Sequence, residues 1–306
     1  MELKMKYLLI ICFAILISFS KISGQNNPEN SFESTKEKIK NSHIKSETQW
    51  MVDLNNSGKS KIAYKEYNTD GQVVKQVTYG KGDNILAESS YQYDSDGKLI
   101  NSYSNKNSRN EIVQNSYIYD SNAKLIKTET RNAKNELMIE MNNKYNLNGK
   151  LVEMETIANN RNVHLKFNYT YDLNGKLVSL TTHDLKNNLN SSGTFKYDSN
   201  GNMVENATID QNNKVVQSTQ KRYDENGKLI GEVVKNMKNE IVSETDSKND
   251  SNGFNVEKVI SNPAANISKR IVSKNDPIGN IKEQIIYNKL NEPVNKIIYE
   301  YEYYEK

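Results

Sequence analysis

A turn signature recurs through this chain every 26 residues, and that interval limits the fold more than any other feature. Counted from its aromatic position, it reads YNTDGQVV at Tyr67, YDSDGKLI at Tyr93, YDSNAKLI at Tyr119 and YNLNGKLV at Tyr145. YDLNGKLV at Tyr171, YDSNGNMV at Tyr197 and YDENGKLI at Tyr223 follow, then degenerate copies at Asn249 and Asn275, and the count lands again on Tyr301. Self-similarity at such a period means stacked supersecondary units rather than one irregular globule.

The chemistry of the unit predicts its shape. With the aromatic residue as position zero, position four is Gly in every copy from Gly71 to Gly279 except at Ala123. An Asp or Asn at position one hydrogen-bonds forward to the turn backbone, and Gly at position four supplies positive φ. That is the recipe for a three-residue hairpin loop, a type I turn closed by a glycine bulge. A looser turn follows half a period later, as in Lys134-Asn135-Glu136 and Lys238-Asn239-Glu240, where Asn takes the left-handed residue's place. Each unit therefore reads strand, turn, strand, turn. The bulge sets position zero opposite position six, pairing Tyr93 with Leu99, Tyr171 with Leu177 and Tyr223 with Leu229. Position seven, usually Ile or Val, points to the opposite face, which predicts a sheet covered on both sides near the first turn.

The expected fold is all-β: an antiparallel β-meander array of 26-residue two-strand units, twisted or spiralling into an elongated sheet or solenoid. The reason is that open sheets rarely exceed about 10 strands without curling, and strand twist accumulates with one hand. The terminal strands of such an array are free edges, which predicts edge-to-edge self-association.

Only 35% of the residues are hydrophobic, and part of that share sits at the N-terminus. Lys4 and Lys6 followed by the apolar run Tyr7 to Phe19 read as a secretory signal peptide over residues 1–24, cut before Gln25. The single cysteine, Cys12, lies within it, so the exported chain is cysteine-free and has no stable membrane span. The expected destination is secretion or the cell envelope. Residues 25–46 read as a flexible leader or a short helix around Phe32 to Ile39, and residues 47–306 as the repeat array. A formal charge of +3 with both signs interspersed argues against nucleic acid as a partner.

The candidate binding residues form an aromatic stripe with period two. It comprises Tyr91, Tyr93, Tyr117, Tyr119, Tyr169, Tyr171, Tyr197 and Tyr223. Tyr outnumbers Phe 19 to 6, so these positions favour a polar tip. Rings on a rigid sheet stack on sugars and partner side chains, which makes a glycan or a surface protein the expected partner. The histidines, His43, His164 and His183, stand on different units or in the leader, without the convergent partners a nucleophile relay or zinc site needs. Asp94-Ser95-Asp96-Gly97 lacks the further acidic ligand of a calcium loop. The reading is thus a non-enzymatic exported scaffold or adhesion-type binding module with no catalytic residue, metal or cofactor.

At the phrase Y-D-x-x-G-K-L the chain resembles the YD-repeat (Rhs-type) family, through Tyr93-Asp94, Tyr119-Asp120, Tyr171-Asp172, Tyr197-Asp198 and Tyr223-Asp224. The likeness extends over residues 60 to 305. It implies a spiralling β-sheet shell at the cell surface or outside it. It also implies the alternative function of a shell or carrier for another polypeptide, such as a toxin.

Overall fold

A computed structural model describes residues 28–54, 58–106, 111–159, 163–184, 186 and 188–305. The expected signal peptide, residues 1–24, lies outside the described residues. An α-helix, α1 (Pro28–Asn41), covers much of the expected leader. Twenty strands follow, numbered in chain order from β1 (Ile44–Asp53) to β20 (Pro293–Tyr303). Each pairs antiparallel with its predecessor and successor, as the turn chemistry requires.

The turns form as their residues dictate. Asp94 Oδ1 accepts from the backbone N–H of Asp96 and of Lys98 at 3.0 and 2.8 Å, and Gly97 sits at φ 77°. The second turn uses the same device: Asn132 Oδ1 accepts from Lys134 and Glu136, and Asn135 sits at φ 64°. The predicted register follows, with Tyr93 opposite Leu99, Tyr171 opposite Leu177 and Tyr223 opposite Leu229, each at a bulge.

The elongated array is overturned by one pairing. β1 hydrogen-bonds to β20 along its whole length, with Glu47 opposite Tyr301, Gln49 opposite Tyr299 and Met51 opposite Ile297. The sheet is therefore a closed barrel of 20 antiparallel strands, and the two strands expected to be free edges occupy each other. Closure follows from the repeat's own register. Crossing from Lys127 on β7 (Leu125–Asn132) to Asn142 on β8 (Leu137–Tyr145) leads to Glu155 on β9 (Leu151–Ala158). Glu155 lies two residues beyond Glu153, the repeat equivalent of Lys127. Ten such advances give a shear of about 20 residues, hence strands tilted about 35° and a barrel about 35 Å across.

A barrel has two unequal faces: side chains converge on the concave wall and splay on the convex one. On β10 (Val163–Tyr171), Leu165, Phe167 and Tyr169 are buried, whereas His164, Lys166 and Asn168 are half-buried and Thr170 is exposed. The buried set lines the inside. The convex wall carries linked ion pairs instead: Lys127 with Glu129 and Glu140, Arg131 with Glu129, and Lys144 and Lys166 with Glu153. A membrane barrel carries the reverse, an outward apolar band about 25 Å tall, where β7 to β10 carry these charges. No helix among the described residues is long and apolar enough to cross a membrane.

The sheet is a single layer, which corrects the expectation of cover on both faces. The bulge sets positions six and seven together opposite position zero, so the apolar residue at seven needs no second layer. Ile118 and Ile126, on the strands beside one such bulge, are 43% and 36% exposed.

Candidate functional site

The inner wall is held by a ladder of tyrosines that the bulge explains. Doubling the residues opposite position zero leaves the carbonyl of position six outside the strand-to-strand ladder. The tyrosine that ends the adjoining strand, where the next unit begins, satisfies it. Tyr93 donates its hydroxyl to Val73 O at 2.9 Å, Tyr119 to Leu99 O at 2.9 Å and Tyr145 to Leu125 O at 2.8 Å. Tyr171, Tyr197 and Tyr223 repeat the contact on Leu151, Leu177 and Met203 at 2.6, 2.9 and 2.9 Å. Phe offers no such donor. Where the unit begins with Asn275 in place of Tyr, the amide Nδ2 donates to Asn255 O at 3.1 Å, the same position.

Burial holds these phenols in their neutral, donating form. It pushes Tyr93, Tyr171 and Tyr197 up to about 12, with neighbouring tyrosines adding to the shift for the first two and Asp172 for the third. Tyr119, Tyr145 and Tyr223 move in the same direction for the same leading reason.

The lysine of the G-K-L phrase couples one turn to the next. Lys124, Lys150 and Lys176 place Nζ 5.8, 6.0 and 5.2 Å from the ring centroids of Tyr145, Tyr171 and Tyr197. A Cβ built on Gly149 would lie 3.3 Å from Lys124 Nζ, so glycine at position four also clears the lysine's path. Ala123 tests this pairing naturally. It takes φ 61°, and the preceding unit's Lys98 turns back to Asp96 at 3.1 Å. Ala123→Gly is expected to raise stability by about 1 kcal/mol by relieving left-handed strain. Urea unfolding checks it, and an unchanged midpoint would mean that the turn carries no such strain.

All eight candidate tyrosines fall on the concave wall. Tyr91, Tyr93, Tyr117, Tyr119, Tyr171, Tyr197 and Tyr223 are half-buried and Tyr169 is 5% exposed. Tyr117 Oη lies 3.2 Å from Ser102 Oγ. The stripe therefore forms one band around part of the lumen rather than an outward platform.

Sequence reasoning missed the apolar patch beside this band. Leu151 and Met154 on β9, Leu165, Phe167 and Tyr169 on β10, and Leu177 and Leu180 on β11 (Leu177–Asp184) form one buried cluster with Phe195 on β12 (Leu189–Tyr197). The signal was present in the repeat. Position nine is Met154 and Leu180 in these two units but Gln76, Ser102 and Thr128 in the three before. Positions 20 and 22 are Leu165 and Phe167 in one of them, against Ala87 and Ser89 in the first unit. The histidines stand apart. His164 meets Glu155 at 2.5 Å and His183 meets Asn168 at 3.2 Å, and no group of metal-ligating residues gathers among the described residues.

The closed shape and its lining can be set beside known proteins. Residues 102–241 match the family described as Teneurin YD-shell. No curated protein matches the chain. Among solved structures it is similar to TcdB2-TccC3-TEV, at 11% identity and a TM-score of 0.40 over 81% of this chain and 14% of that one. The chain thus spans about one seventh of that protein's length. It is also similar to porin-like proteins from Bacteroides uniformis (7% identity, TM-score 0.39, 85% of this chain and 98% of that one) and Bacteroides vulgatus (10%, 0.33, 86% and 99%).

Proposed function

The chain carries a YD-shell repeat over residues 102–241, and from that premise we propose that the barrel is a shell that encloses a segment of another polypeptide. The observation that carries this reading is the closure of β1 on β20 around an inner wall bearing a contiguous apolar patch. After side chains are allowed for, a barrel of this shear leaves a lumen roughly 20 Å wide, room at protein packing density for on the order of 50 residues. An unfolded segment there finds the half-buried margin of the patch, Met141, Tyr171 and Met203, for its apolar side chains and hydroxyl groups elsewhere for its backbone. The charged convex wall keeps the loaded shell soluble. Adhesion through exposed tyrosine rings loses its motivating feature, because the rings face inward and the hydroxyls of Tyr93, Tyr119, Tyr171, Tyr197 and Tyr223 bond to backbone carbonyls.

Native mass spectrometry of the exported protein from its producing cells tests this. The expected result is a second polypeptide of defined mass that resists protease until the barrel unfolds. It should be lost in Met141→Gln, at a half-buried inner-wall side chain, and kept in Lys166→Gln, which alters the outer wall. A barrel that is always empty, or a companion that is digested freely, would contradict the shell reading.

A further inference from the structure

We propose that α1 is a hinged gate at the end of the barrel formed by the first turns, docked on a glycine seat and released to let a polypeptide pass. The contacts are specific to this end. The helix backbone lies directly over Gly71, in the turn between β2 (Lys59–Tyr67) and β3 (Val73–Tyr79), where a Cβ would fall 2.3 Å from Lys36 O and 2.9 Å from Lys40 N. Gly97, Gly149, Gly175 and Gly227 meet only side-chain atoms of the preceding unit. Gly71 therefore has a second reason to be glycine, and that reason is the helix. Farther along, Lys38 Nζ donates to Gly279 O and lies 5.8 Å from the centroid of Phe254. The helix thus bridges turns on both sides of the β1–β20 seam, and Ile39 packs with Ile44, Tyr67, Val73 and Tyr301 on the inner wall.

Among the described side chains the hold is narrow. From residue 35 onward, Ile39 alone is buried on the helix. The Lys40–Asp70 pair, at 2.9 Å with side chains 54% and 58% exposed, contributes little. A helix of this length is marginal by itself in water, so undocking and unwinding are coupled. A hinge follows at once. His43 adopts φ 52°, its carbonyl accepts from Tyr304 N at 2.8 Å, and the next residue, Ile44, is 1% exposed and fixed in the wall. What passes the gate rests on the shell reading; the seat does not.

The test compares Gly71→Ala with Gly97→Ala. Both place alanine at φ near 75°, a conformation this turn accepts at Ala123, but only the first collides with the helix backbone. In Gly71→Ala, amides of residues 36–41 are expected to exchange about tenfold faster. In a Cys12→Ser, Ser104→Cys background, a polymer-linked maleimide should label the half-buried inner-wall thiol correspondingly faster. Gly97→Ala should change neither. Equal behaviour of the two variants, or faster exchange without faster labelling, would overturn the gate whatever the mass measurement shows for the shell.

Discussion

Phe167→Ala is expected to lower the unfolding free energy by about 3–5 kcal/mol, a large share of what a domain of ordinary stability possesses. Phe167 is 1% exposed at the centre of the inner-wall cluster, flanked along its own strand by Leu165 and Tyr169. It pairs with Met154 on one side and Thr182 on the other, so its removal opens a cavity that backbone held in two ladders cannot close. Ile118→Ala, at a 43% exposed residue on the convex wall, should cost well under 1 kcal/mol. Urea titrations of the two variants give the comparison. Similar losses would mean that the two walls are equivalent, as in an open sheet.

The second large effect is alkaline unfolding. A phenol whose folded value lies above its unfolded value near 10 favours the folded state while neutral. Tyr93, Tyr171 and Tyr197, pushed up to about 12 mainly by burial, each contribute stability that is fully present below pH 10. It is lost progressively as pH rises from 10 through 12. The loss is cooperative in structure, because each phenolate gives up its bond to the carbonyl of position six, on Val73, Leu151 and Leu177. The barrel should therefore hold its far-ultraviolet dichroism to about pH 10 and lose it before pH 12, with phenolate absorbance rising in the same step. Phenolate formation centred near 10 with the dichroism intact would show that the hydroxyls are free.

These two results probe what the sequence revealed and what it concealed. Turn chemistry is local, so Asp94, Gly97 and Asn135 announced their hairpins, and the bulge announced the opposition of Tyr93 and Leu99. Closure is not local. Glu47 and Tyr301 meet across nearly the whole chain, and neither carries a mark of the other. The clue lay in the second turn: once Asn132 and Asn135 are recognised as the same bulged device as the first, the two-residue advance per unit follows, and ten units return the ribbon to its start. The direction of the tyrosines was hidden for the same reason. Alternation separates two faces, but only closure makes one of them the inside. The apolar patch was hidden by the repeat itself, since Met154, Leu165, Phe167 and Leu180 depart from what most units place there. Position seven was misjudged because simple alternation does not survive a bulge.

The closing pair of strands is the point on which lumen, gate and ladder all depend. In a Cys12→Ser background, Thr48→Cys and Glu300→Cys place two thiols directly opposite one another on β1 and β20, the separation a disulfide spans. Mild oxidation should link them within one molecule, with no change in apparent mass and higher resistance to urea. Failure to link, or links found only between molecules, would mean that the sheet stays open and that the barrel is wrong.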